Sequence, residues 1–200
     1  MKNSEGEIAV HMAREVVDAE ARGKETGHLD APGSFREKRG AFVTLHTYPA
    51  NRLRGCIGFP EPVFSLASAL VQAAQHACHD PRFPDLDESE LDSIIVEVSI
   101  LTPPKAVEVS DPRQLPEVVQ VGVDGLIVER GPYRGLLLPQ VPMEWGWDAE
   151  EFLAQTCVKA GMSPDMWFDD QTRFYTFQAE VFSEEAPRGK VSRKEMGGCR

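Results

Sequence analysis

Long apolar runs are missing from this chain. Nowhere do about 18 uncharged apolar residues follow one another, the length a membrane-spanning helix requires, and the opening "MKNSEGEIAVHMAREVVDAE" has no apolar stretch of the kind a secretory signal carries. The expected compartment is therefore the cytoplasm. Cysteine is scarce: Cys56, Cys78, Cys157 and Cys199 are the only four in 200 residues, far apart and without a C-x-x-C pair. Neither a disulfide framework nor a zinc ribbon is indicated, and free thiols are the default. Cations are short as well, with 21 Lys and Arg against 32 Asp and Glu and a net charge of −11. A surface of that sign repels phosphate backbones, which argues against general nucleic-acid binding. Glycine-rich phosphate loops, metal-ligand spacings and cofactor-lysine motifs are also absent, so the sequence assigns no metal and no cofactor.

What is present is the composition of a globular protein. Hydrophobic residues make up 42% of the chain, enough at this length to bury one core, in one domain of one or two lobes. The C-terminal "PRGKVSRKEMGGCR" gathers five basic residues against one acid. Such a composition offers little to bury, so residues 186–200 are expected to form a flexible basic tail after a single domain over 1–185.

Periodicity supplies the elements. "GEIAVHMAREVVDAEARG" sets Ile8, Met12, Val16 and Ala19 at helical spacing and runs into Gly23, a C-terminal stop. "AFVTLHTY" and "LRGCIGF", joined by a short "PANR" turn, read as a hairpin. "PVFSLASALVQAAQHACHD" puts Val63, Leu66, Leu70, Ala73 and Ala77 on one stripe and predicts a helix from Pro62 to Asp80. "LDSIIVEVSILTPP" predicts a strand with Ile94, Val96, Val98 and Ile100 on one face, Glu97 and Ser99 on the other, ended by two prolines. A second hairpin is read from the two apolar runs around "GPYRG", and a capped helix from Asp148 to Gly161. "RFYTFQAEV" reads as one last strand with Tyr175, Phe177, Ala179 and Val181 on one face. Antiparallel hairpins with packed helices, rather than regular strand-helix alternation, make the fold class α+β.

The chemical question lies in "RLRGCIGF". Alternation along a strand puts Arg54, Cys56 and Gly58 on one face, with Leu53, Gly55 and Ile57 on the core side. The first face offers a guanidinium, a thiol and backbone that Gly55 and Gly58 leave open to a ligand or another segment. A turn centred near Ala50 would bring Thr44 opposite Cys56 and His46 opposite Arg54. Candidate roles follow: Cys56 as nucleophile, Arg54 as the cation that favours thiolate and holds anionic charge, His46 or Glu97 as proton carriers. Against this stands a packed cysteine whose glycines only admit a helix. Arg54 needs an acid in an apolar strand, and Glu97 and Asp80 are the expected partners.

The ordered motifs "FVTL…LRGCIG", "DPRFPDL", "VEVSILTPP", "VGVDGLIVE", "GLLLPQVPMEWGWDAEEFL" and "KAG", from Phe42 to Phe182, resemble the AMMECR domain family. The resemblance implies an α+β fold in two unequal subdomains, both termini in the larger, with a cleft between them. The family's "LRGCIG" falls on Leu53 to Gly58, so its cysteine is Cys56; His46 stands where the family commonly has lysine. Family members occur fused to or beside Memo-type and radical S-adenosylmethionine proteins, which implies an accessory role with such partners. Asp80 and Arg82, in "DPRF", are ligand-binding candidates in that cleft, against a local reading in which they fix the turn and satisfy helix C-terminal carbonyls.

Other candidates read as structural. His76, Cys78 and His79 crowd together, but at about 100° per residue Cys78 points roughly opposite His76, so they form no single metal site and the histidines are read as solvated. Cys157 shares a stripe with Leu153 and is read as core, and the two tryptophans of "MEWGWD" as packing. Two functions remain open: a cysteine-dependent enzyme or accessory modification protein acting on an unknown small molecule or protein, and a non-catalytic ligand- or protein-binding module.

Overall fold

The computed structural model describes residues 1–194; Cys199 and the rest of the C-terminus lie outside the described residues. In chain order the elements are α1 (Asn3–Ala21), β1 (Ala41–Thr47), β2 (Leu53–Phe59), α2 (Leu66–Cys78), β3 (Ile94–Leu101), β4 (Lys105–Ala106), α3 (Leu115–Val118), β5 (Gly125–Arg130), β6 (Tyr133–Leu137), α4 (Gln140–Trp145), α5 (Ala149–Lys159), β7 (Arg173–Phe177), β8 (Ala179–Glu184) and β9 (Val191–Lys194). They fall into two units, residues 1–101 with 180–194 and residues 102–179.

The first unit is a five-stranded sheet in the order β2-β1-β3-β8-β9, with α1 and α2 on one face. That face is made by the predicted alternation: Val43 and Leu45 of β1 and Ile94, Val96, Val98 and Ile100 of β3 are fully buried, against Ala9, Val10, Ala13 and Val17 of α1 and Leu70, Ala73 and Ala77 of α2. Each larger aliphatic side chain so buried contributes about 1.5 to 3 kcal/mol. Helix α2 is shorter than its stripe predicts. Ser65 caps it by accepting the Ser68 N–H at 3.3 Å, so Val63 precedes the helix and is exposed.

The expected single last strand is two strands in different sheets. The break is at Gln178, whose N–H donates to Thr102 Oγ1 at 2.8 Å and whose carbonyl accepts the Thr102 N–H at 2.7 Å, so β7 ends there and β8 begins. The expectation of a flexible tail from residue 186 fails for β9, which pairs antiparallel with β8. The reason is apolar contact that a charge count overlooks: Val191 is buried on the helix side, and the Arg193 guanidinium lies 5.7 Å from the centre of the Phe182 ring.

The second unit is a four-stranded sheet, β4-β7-β5-β6. Its core joins Leu126, Val128 and Phe174 to Phe152, Leu153 and Cys157 of α5 and to Trp167. The β5–β6 hairpin turns at Gly131 and Pro132, where Gly131 takes a φ of 57° that favours glycine. The first apolar run expected for this hairpin is not strand throughout, since Val118 closes α3. Asp148 caps α5 by accepting the Glu151 N–H at 2.9 Å, and Gly161 follows the helix at a φ of 79°. Trp147 packs against the core, but Trp145, expected as packing, is exposed and stacks on Trp147. The fold is α+β, and the strand pairs β1–β2, β1–β3, β4–β7, β5–β6, β5–β7 and β8–β9 are antiparallel.

Candidate functional site

The face of the first sheet turned away from α1 and α2 carries a polar row. Its centre is Thr44, which stands opposite Cys56 on β2 and opposite Glu97 on β3. Cys56 turns its own N–H outward, away from β1, so Thr44 and Cys56 are the closely spaced kind of antiparallel pair. That spacing lets Thr44 Oγ1 donate to Cys56 Sγ at 3.2 Å. On the far side, β9 alternates Arg193 toward Phe182 and the helices and Lys194 toward this face, where Lys194 Nζ meets Glu97 Oε2 at 2.5 Å. His46 Nε2 lies 3.8 Å from Glu97 Oε1, while its Nδ1 is buried with no hydrogen-bond partner among the described residues.

The expected pairing of His46 with Arg54 does not occur. The register holds from Ala41 to Leu45, then shifts, so that His46 faces Leu53 and Arg54 is the extra residue of a bulge. Arg54 turns to the segment after α2, donating to Glu90 at 2.7 and 2.8 Å and to the Asp85 carbonyl at 3.2 Å. It has the acid its surroundings demand, but that acid is Glu90, not Glu97 or Asp80. Glu97 pairs instead with Lys194 and His46.

Asp80 and Arg82 close the outer edge of β2 at the cysteine. Asp80 Oδ2 accepts the Cys56 N–H at 2.9 Å, and Arg82, held to Asp80 at 2.7 and 3.0 Å, donates to the Cys56 carbonyl at 3.3 Å. A carboxylate and a guanidinium thus occupy the hydrogen-bonding positions that a further strand would take. The local reading of these two residues needs revision, because they act on the neighbouring strand as well as on their own turn.

Neither glycine leaves open backbone. A Cβ on Gly55 would sit 2.3 Å from the Ala77 carbonyl oxygen of α2, so Gly55 lies on the core side, as alternation predicts. On Gly58 it would meet the Phe42 ring and the Ala41 carbonyl oxygen, both at 2.4 Å. The bare surface expected there is covered by Phe42.

Electrostatics separates the candidates. Burial pushes the Cys56 thiol above its ordinary value; the Thr44 hydrogen bond and the Arg82 charge oppose this without cancelling it. Burial also pushes the Glu97 carboxyl up, but His46 and Lys194 more than offset that, and it stays ionised below its usual range. Hydrogen bonds from Arg82 hold Asp80 well below the carboxylate range, and Glu90 raises Arg54. Cys78 and Cys157 are buried thiols pushed up to about 12. His76 and His79 are both exposed, as their reading as solvated expects, and His79 in addition lies 3.1 Å from Glu20 and 3.0 Å from Asp85. Lys194 and Glu90 were not foreseen at all. Lys194 sat in an assumed tail, and Glu90 carries no pattern beyond the acid that Arg54 requires.

Among the described residues, no group of three or more His, Cys, Asp or Glu gathers to hold a metal ion, and no helix is long and apolar enough to cross a membrane. The AMMECR1 family model matches residues 10–182. Protein MJ0810 of Methanocaldococcus jannaschii is 52% identical over 193 residues, covering 96% of each chain. A protein of Methanothermobacter thermautotrophicus is 53% identical over 188 residues, 92% of this chain and 97% of its own. The crystal structure of the uncharacterized protein PH0010 from Pyrococcus horikoshii, 50% identical, superposes with a TM-score of 0.81 over 97% of this chain and 98% of its own. Family model, relatives and solved fold agree, and the chain belongs to the AMMECR1 family.

Proposed function

We propose that this protein acts through the polar row of its five-stranded sheet as a binding module for a polar ligand or a partner's side chain, with Cys56 a neutral thiol in the contact surface. One observation carries the reading: the cation and proton carriers expected to activate the thiol are engaged elsewhere. Arg54 is committed to Glu90, and His46 is turned to Glu97. Glu97 itself is two strands from Cys56, about 10 Å at a strand spacing near 4.8 Å. That exceeds the reach of direct proton transfer.

A cysteine-dependent enzyme is the second reading, favoured by Thr44 and Arg82, which both stabilise a thiolate at Cys56. In it, a bound ligand must first bring the base that removes the proton. An accessory role beside Memo-type or radical S-adenosylmethionine proteins suits either reading.

The two separate on thiol reactivity. Iodoacetamide labelling, mapped by mass spectrometry, is expected to modify Cys56 more slowly than free glutathione at pH 7.5, with the rate still rising above about pH 8.5, the ordinary thiol value. Labelling faster than glutathione, with a plateau below pH 8, would establish a standing nucleophile and overturn the binding-module reading.

A further inference from the structure

Glu97 is a carboxylate with a side chain only 15% exposed, and a carboxylate so placed needs a cation at all times. Lys194 supplies it from outside. Its side chain is 43% exposed, it ends a four-residue strand at the edge of the sheet, and lysine is a mobile, readily hydrated point charge. An incoming ammonium group could take its place without leaving Glu97 unpaired, and Lys194 would recover its hydration.

Thr44 stands opposite Glu97 on β1 and has acceptor capacity to spare. Thr44 Oγ1 spends its proton on Cys56 Sγ and keeps lone pairs. His46 Nε2 lies 3.8 Å from Glu97 Oε1, and its Nδ1 is buried without a hydrogen-bond partner among the described residues. One carboxylate with a hydroxyl acceptor beside it suits the three donors of a compact ammonium better than the planar fork of a guanidinium.

We propose that Glu97 anchors a subsite for a primary ammonium group, and that Lys194 is its resident occupant in the ligand-free protein. The proposal rests on the reading of this face as a binding surface and names the ligand's chemistry. A free alkylamine and a lysine side chain of a partner share that chemistry.

The test removes the occupant. Thermal unfolding of Lys194→Ala, and of Lys194→Met, which keeps an aliphatic stem, is followed with ethylammonium, with Nα-acetyl-lysine N-methylamide and with tetramethylammonium at equal ionic strength. Ethylammonium at about tenfold excess over its dissociation constant is expected to raise Tm by about 3 to 6 °C in both variants. Wild type should shift less, because Lys194 competes. Tetramethylammonium, which has the charge but no N–H, should do nothing, and adding Glu97→Gln should abolish the response. A larger response to the lysine amide identifies a lysine side chain as the occupant; a response to ethylammonium alone identifies a free amine. The proposal is overturned by equal shifts with ethylammonium and tetramethylammonium, by a shift that survives Glu97→Gln, or by no shift in either variant. None of those results alters the labelling of Cys56, so the two readings fail separately.

Discussion

Two arginines illustrate how burial of the partner, rather than of the arginine, sets the cost of losing a pair. Arg14 donates to Glu184 through Nε at 3.0 Å and again through Nη2, and also to the carbonyls of Leu91 and Ile94. Glu184 has a side chain 1% exposed, so Arg14→Met strands a carboxylate that water cannot reach. The expected loss is about 3 to 5 kcal/mol. Arg54→Met leaves Glu90, 32% exposed, which can turn to solvent, and the expected loss is about 1 to 2 kcal/mol. Denaturant midpoints of the two variants at pH 7 check this, and equal losses would contradict it. The type of Arg54's partner was legible in the sequence, because a guanidinium in an apolar strand must have an acid. Its identity was not. A one-residue bulge beside His46 turns Arg54 out of the predicted row, and nothing in the composition of "TLHTYPANRLRG" distinguishes a bulged register from a regular one.

Strand faces were the most legible elements, because period-two alternation is imposed by the backbone itself. It correctly placed Ile94, Val96, Val98 and Ile100 in the core and Glu97 and Ser99 opposite, and it set Thr44 against Cys56. What lay over each face was not encoded in that period. Gly58 has the expected orientation, yet Phe42 from the neighbouring strand fills the space above it. Both glycines should therefore resist substitution, with Gly55→Ala and Gly58→Ala each costing about 1 to 3 kcal/mol by overpacking. They should differ in what relieves them. A double-mutant cycle with Phe42→Ala should show favourable coupling to Gly58→Ala, since half of that clash is a removable ring, and none to Gly55→Ala, whose obstacle is the main chain of α2. Coupling at Gly55 and not at Gly58 would mean that the faces of β2 are reversed. Because Ala77 precedes Asp80 by three residues, Gly55→Ala should also disturb the Asp80 bond to the Cys56 N–H and change the labelling rate of that thiol.

At the scale of the molecule, the α+β class and the family could be read from local patterns, whereas the point at which the chain passes from one sheet to the other could not. Residues 173–181 look like one strand because both halves alternate well, and only the long-range bonds between Thr102 and Gln178 show that they serve two sheets. Charge was misleading in a similar way. Arg188, counted as part of a solvated basic tail, pairs with Asp18 of α1 and with Asp92. His79 belongs to the same class of long-range tie, joining Glu20 of α1 to Asp85 beyond α2, and its pKa is raised by Asp85 first and Glu20 second. A histidine stabilised in its charged form by the fold contributes stability that is fully present below its unfolded value, near 6.5, and is lost as pH rises through the raised folded value. Because His79 is about half exposed, solvent screens the pairs, and the contribution is held to under about 1 kcal/mol. His79→Gln should therefore lower Tm at pH 5.5 and leave it unchanged at pH 9, and 1 M salt at pH 5.5 should shrink the difference. A Tm difference of the same size at both pH values would show that the side chain matters through packing, and that His79 does not tie α1 to the segment after α2 by charge.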